Sequence, residues 1–95
     1  MKGYVVCVYK NISNEEKLKE YALKARAAVE SFEGKFLIRG GKTSCKEGEK
    51  SPRTVVIEFP SFEAAKNYYY SKEYQKAHSF LKGTVVRDFQ IVEGP

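Results

Sequence analysis

Apolar residues fall into short blocks along the chain, and the spacing within them switches between two periods. The first block, Tyr4-Val5-Val6-Cys7-Val8-Tyr9, is rich in β-branched and aromatic residues. Both of its alternating sets are apolar, which predicts a strand over Gly3 to Tyr9 that is covered on both faces. Ser13-Asn14-Glu15-Glu16 then reads as a helix start, with Ser13 as the cap and Glu16 closing a capping box three residues on. Leu18, Tyr21, Ala22, Ala25, Ala28, Val29 and Phe32 follow at three- and four-residue steps. They form one apolar stripe, which ends at Gly34, the residue suited to a left-handed helix terminus.

A second strand is predicted over Lys35 to Gly41, and the polar, turn-rich segment Lys42 to Pro52 separates it from a third over Arg53 to Phe59. Pro60-Ser61 stops that strand, and Ser61 caps a helix with Phe62, Ala65 and Tyr69 on one face. Ser71 caps a further short helix whose inner side carries Tyr74, Ala77, His78 and Leu81, and Gly83 ends it. A last strand covers Phe89 to Val92, with Thr84 to Val86 readable either as its extension or as a loop. The order is βαββαβ, with the second helix in two pieces. That order predicts a single α+β domain over residues 1–95 with a four-stranded antiparallel sheet and helices on one face, the ferredoxin-like architecture.

Such a sheet leaves one face bare, yet strands one to three carry apolar residues on both alternating sets. A bare apolar face several strands wide exceeds what soluble monomers leave exposed. A second copy packed sheet against sheet covers it, so a homodimer is predicted.

Composition narrows the function classes. The 95 residues are 42% hydrophobic and 14% aromatic, too apolar for a disordered chain and too few for a multidomain enzyme or a solenoid. No run approaches the ~18 apolar residues of a membrane span, and the N-terminal run is too short and too β-branched for a signal peptide, so a cytoplasmic protein is expected. The net charge of +5 raises the question of nucleic acid. Its basic residues are interleaved with acids, however, as in Glu15, Glu16, Lys17, Lys19, Glu20 and Lys24, and no nucleic-acid motif is present, so no specific nucleic-acid partner is expected. Cys7 lies in an apolar run as a small core residue, and Cys45 in a polar loop as an exposed thiol. Neither has a His or Cys at zinc-ligand spacing, so no metal and no cofactor is expected.

Several blocks together resemble a known family: Met1-Lys2-Gly3-Tyr4, Phe36-Leu37-Ile38-Arg39-Gly40-Gly41, Val55-Val56-Ile57-Glu58-Phe59-Pro60-Ser61, Tyr69 with Ser71, Glu73, Tyr74 and Gln75, and Val92-Glu93-Gly94. In this order they resemble the family catalogued as domain of unknown function 1330, over essentially the whole chain. The resemblance implies a dimeric α/β-barrel of the ferredoxin-like group. Its wider relatives include cofactor-free monooxygenases, isomerases, haem enzymes and proteins without known chemistry, so the fold alone selects no reaction.

The candidate chemistry is sparse. Arg39 and Glu58 each sit within an apolar strand, where a charge is costly unless paired or functional. Regular alternation can put them on one sheet face. There they form either a structural ion pair or a ligand anchor, in which Glu58 holds the Arg39 fork toward a carboxylate or phenolate. Tyr69 and Tyr74 are the inward candidates of the Tyr68-Tyr69-Tyr70 and Tyr74 cluster, as ligand contacts or as plain core. His78, the only histidine, is a surface or capping residue, or a general base if it faces a cavity. Gly40-Gly41 suits a bulge or a close backbone approach. No catalytic triad, phosphate loop or metal cluster is legible. These readings describe a homodimer that binds a small acidic or aromatic organic ligand between sheet and helices. The alternatives are a cofactor-free monooxygenase- or isomerase-like enzyme and a purely structural dimer.

Overall fold

The chain runs β1 (Gly3–Ile12), α1 (Glu15–Ser31), β2 (Lys35–Arg39), β3 (Arg53–Phe59), α2 (Phe62–Tyr70), α3 (Lys72–His78) and β4 (Val85–Glu93) in a computed structural model that describes residues 1–95. One 3-10 turn, Ser79–Leu81, closes α3. The four strands form one antiparallel sheet in the order β2-β3-β1-β4. The βαββαβ reading therefore holds, with β1 and β4 longer than predicted and β2 shorter, ending at Arg39 and not Gly41. No helix is long and apolar enough to cross a membrane.

Three helix starts follow from side-chain caps, as the sequence suggests, but one cap moves by a residue. Ser61 accepts from the Ala64 N–H at 3.0 Å and Ser71 from the Tyr74 N–H at 3.1 Å. On α1 the cap is Asn14, which accepts from the Lys17 N–H at 3.0 Å. Ser13 is committed elsewhere: its hydroxyl and its N–H both donate to the Thr84 carbonyl, at 2.9 and 2.8 Å. That pair ties the helix entry to the start of β4.

The far end of α1 closes in a Schellman arrangement, with Gly34 N–H donating to Val29 O at 2.9 Å and Glu33 N–H to Glu30 O at 3.1 Å. Glu33, not Gly34, takes the left-handed backbone, with φ at 60°. Gly34 is required for another reason. A Cβ there would lie 2.7 Å from both the Phe59 ring and a Val29 methyl, so only glycine lets the turn pass the core.

Cross-strand register sorts the sheet into two faces. Val5, Ile57 and Ile91 form one inner row, and Cys7, Val55 and Phe89 the next. Tyr9, Arg53 and Arg87 form the third, at one end of the sheet. The helices lie on this face, and Leu18, Tyr21, Ala25, Ala28, Val29, Ala65, Tyr68, Tyr74 and Ala77 complete a single core with the inner rows. The opposite face carries Tyr4, Val6, Val8, Val56, Ile38 and Val92, with no element packed over it. Ile38 and Val92 are each 46% exposed there.

β2 departs from plain alternation. Phe36 pairs with Ile57, but Ile38 pairs with Val56 and Arg39 with Val55, so Leu37 is an extra residue in a bulge. The bulge turns Ile38 outward and brings Arg39 onto the helix-covered face.

Candidate functional site

Arg87 sits on the inner face of β4, where alternation with Phe89 and Ile91 aims its side chain under the helices. Its Nη1 donates to the Tyr9 hydroxyl at 3.0 Å and the Tyr21 hydroxyl at 3.3 Å, and its Nη2 donates to the Tyr74 hydroxyl at 2.8 Å. Cys7 Sγ lies 3.6 Å from Nη1. The guanidinium also stands over the rings of Phe89, Tyr21 and Tyr9, at 5.0, 5.2 and 5.4 Å. The rings are fixed in turn by core packing: Tyr74 is fully buried, and Tyr21 meets it edge-on with centroids 6.0 Å apart.

No carboxylate faces this cation. The three salt bridges, Lys10–Asp88, Arg26–Glu30 and Lys66–Glu63, all lie at the surface. A half-buried guanidinium held only by neutral phenols and a thiol is an unusual choice, because a desolvated charge is normally paired.

The hydroxyls themselves have protons to spare. Tyr21 and Tyr74 share one hydrogen bond at 2.9 Å, and each phenol already accepts from Arg87. One of the three O–H groups serves that shared bond, and the Tyr9 hydroxyl has only the weakly accepting Cys7 sulfur beside it, so no strong side-chain acceptor is left for the remaining protons. The cluster is thus rich in donors and poor in acceptors.

Ionisation follows the same pattern. Burial pushes the Tyr9 phenol up to about 12 against the opposing pull of Arg87, and burial raises Tyr68 and Tyr74 above their ordinary value. Burial also raises the Cys7 thiol, again against Arg87. Burial works against the charge on Arg87, but the surrounding phenols and thiol outweigh it and raise its pKa. At neutral pH Arg87 is a fixed positive charge beside the protonated hydroxyls of Tyr9 and Tyr74.

A cavity of about 40 Å³ opens beside Arg87 between the sheet and α1. That is room for about one to three waters. Tyr9, Tyr21 and Tyr68 form part of its wall together with three arginines, Arg39, Arg53 and Arg87, and no acidic residue lines it. Arg39 is exposed and rests on the Phe36 ring at 4.6 Å. Gly40, with φ at 73°, leaves the space that Arg53 uses: a Cβ there would come within 3.0 Å of Arg53 Nη1.

The residues singled out from sequence divide. Arg39 reaches the cavity wall, and Tyr74 holds the arginine that lines it. Glu58 does not join them, because the β2 bulge separates the two charges onto opposite faces. Glu58 instead accepts from the Tyr4 hydroxyl at 3.1 Å on the open face, a bond that, with burial, raises the Tyr4 pKa. Tyr69 packs on Phe89 and Tyr74, at 5.1 and 5.3 Å between centroids, and is absent from the cavity wall, whereas its neighbour Tyr68 is buried in it. His78 stacks on the Tyr74 ring at 5.9 Å, and burial, then the charge of Arg87, lowers its pKa, but it does not line the cavity either.

The sequence does not single out Arg87, Tyr9, Tyr21 or Arg53 as site residues. The signal that flagged Arg39, a charge inside an apolar strand, applies equally to Arg87, but it depends on starting β4 at Val85 and not at Phe89.

The strand order and the single helix-covered face define a ferredoxin-like α+β protein. Within that class, the chain belongs to the family described as domain of unknown function (DUF1330), whose model matches residues 2–95. Among solved structures it is similar to a protein of unknown function from Rhodopseudomonas palustris, with TM-score 0.79 and 14% identity over 99% of this chain and 82% of that one. It is also similar to a dimeric ferredoxin-like protein of unknown function from Jannaschia sp. CCS1, with TM-score 0.69 and 13% identity over 99% of this chain and all of that one. An antibiotic biosynthesis monooxygenase matches with TM-score 0.58 and 12% identity over 100% and 97% of the two chains. No curated protein matches the chain.

Proposed function

We propose that this protein is a homodimer that binds a small organic acid in the cavity between sheet and helices, with the carboxylate seated at Arg87. The observation that carries the reading is a half-buried guanidinium with phenol partners and no counter-ion, beside a cavity whose charged lining is entirely arginine. A carboxylate supplies the acceptor lone pairs that Arg87 and the spare hydroxyls of its tyrosine ring lack. Arg39, at the exposed end of the wall, draws the anion in and contacts its outer part. The apolar wall takes the carbon body. Because the phenols hold their protons at neutral pH, they act as donors to a bound anion and not as bases, so the reading is recognition before catalysis.

The dimer forms through the open sheet face. Val6, Val8, Val56, Ile38 and Val92 make an apolar surface that a second copy covers, and the similarity to a dimeric ferredoxin-like protein supports a dimer. The free thiols, buried Cys7 and exposed Cys45, fit the reducing cytoplasm.

Titration with butanoate, followed by backbone amide NMR shifts, tests the site. Saturable shifts centred on Tyr9, Tyr21 and Arg87, lost in Arg87→Met, are the expected result. Unsaturable shifts, or identical saturation in the variant, would overturn it.

A further inference from the structure

Resting on the reading that a carboxylate seats at Arg87, we infer that the natural ligand carries a second anionic group and is a short dicarboxylate. Arg53, Tyr9 and Arg87 are consecutive cross-strand partners on β3, β1 and β4. Their backbones therefore span two strand spacings, about 10 Å. Arg39 pairs with Val55, two residues on from Arg53 on the same face. All three arginines thus occupy one end of one sheet face, and all three line one cavity.

The arginines divide into two positions within that space. Arg87 is held at the inner position by the tyrosines. Arg53 leans the other way, with Nη1 close against Gly40, the residue that follows Arg39. Arg39 itself is exposed on Phe36. Neither outer arginine makes a salt bridge, and no Asp or Glu stands in the cavity wall. Three like charges gathered around one small space repel one another in the free protein. A monocarboxylate answers only the inner charge. A dicarboxylate answers both positions, with one group on Arg87 and its hydroxyl ring and the other between Arg39 and Arg53, in the forked geometry that guanidinium groups favour. The cavity volume, at most about that of three waters, admits the inner carboxylate, and the carbon chain and the second group lie towards the exposed end.

The test compares butanoate with malonate, succinate and glutarate by calorimetric titration at constant ionic strength. The best of the three dicarboxylates binds at least about ten-fold tighter than butanoate, the effect of one further charge-assisted contact. In Arg39→Gln, a change at an exposed position, and in Arg39→Gln/Arg53→Gln, that ratio falls towards one. Every dicarboxylate binding within about two-fold of butanoate, while Arg87→Met abolishes butanoate binding, would overturn this inference and leave the Arg87 site standing. A preference for dicarboxylates that persists in the double variant would also overturn it, because the second group would then be held elsewhere. No binding of any of the four acids removes both readings.

Discussion

Replacing Arg87 with methionine separates a ligand site from a structural clamp, because the two roles predict different stabilities. The side chain spends its guanidinium on three phenols and none of it on a carboxylate. After Arg87→Met, Tyr21 and Tyr74 still have each other at 2.9 Å. Tyr9 and Cys7 lose Arg87 and keep only each other, and a stranded hydroxyl costs about 1–3 kcal/mol. That cost falls at the low end, since Tyr9 borders a cavity wide enough for water. Against it stands the removal of a desolvated charge without a counter-ion. Exchanging buried ionic groups for apolar ones of similar volume is commonly neutral, or stabilising by about 1–4 kcal/mol.

The two effects nearly cancel, so the variant is expected within about 2 kcal/mol of the parent. Urea unfolding followed by circular dichroism measures this, with both proteins at one chain concentration because the proposed dimer would couple to stability. Butanoate binding is lost in the same variant. A loss above about 4 kcal/mol would refute the reasoning. In that case Arg87 is the clamp that holds the tyrosines, its missing counter-ion has a structural explanation, and the cavity loses its claim on a ligand.

Three further outcomes follow from the geometry. Glu33→Gly relieves a left-handed residue at the end of α1 and raises stability by about 0.5–1 kcal/mol, read as a higher thermal midpoint, whereas Gly34→Ala forces a Cβ against Val29 and Phe59 and costs about 1–3 kcal/mol. Alkaline pH removes stability: the Tyr9 phenol has its pKa raised from 10.0 to about 12, so its contribution is complete below pH 10, declines as the unfolded chain releases its proton, and is gone above about 12. The part of the phenolate absorbance that Tyr9→Phe removes should therefore appear together with the loss of circular dichroism, and ionisation of Tyr9 in a still-folded protein would contradict the burial argument. On the open sheet face, Val56→Lys keeps the fold and yields a monomer by sedimentation, whereas a persistent dimer moves the interface elsewhere.

The legible parts of this fold are those whose energetics are local. The stripe from Leu18 to Phe32 specifies α1, and hydroxyl caps at Ser61 and Ser71 specify the break between α2 and α3. Where a distant partner decides, the local signal points one residue off. Ser13 is as good a cap as Asn14 until Thr84, 71 residues away, claims its hydroxyl. Gly34 is the natural left-handed residue until the Phe59 ring and Val29 demand the absence of a Cβ, and the unfavourable φ then falls to Glu33.

The same distinction governs the site. Leu37 and Ile38 are both apolar, so either β2 register puts an aliphatic residue on the open face, and the hydrophobic pattern there cannot choose between them. A one-residue bulge nevertheless reverses Arg39 from the face of Glu58 to the face of Arg53 and Arg87. It converts an apparent ion pair into an arginine with no acid opposite. For Arg87 the decisive fact is where β4 begins. Once the strand starts at Val85, Arg87 and Phe89 alternate in step with Tyr9 and Cys7, and the charge must point under the helices. A charge within an apolar strand therefore marks a site only in combination with register. Here register gathers three arginines on one face and leaves their only nearby acid candidate on the other.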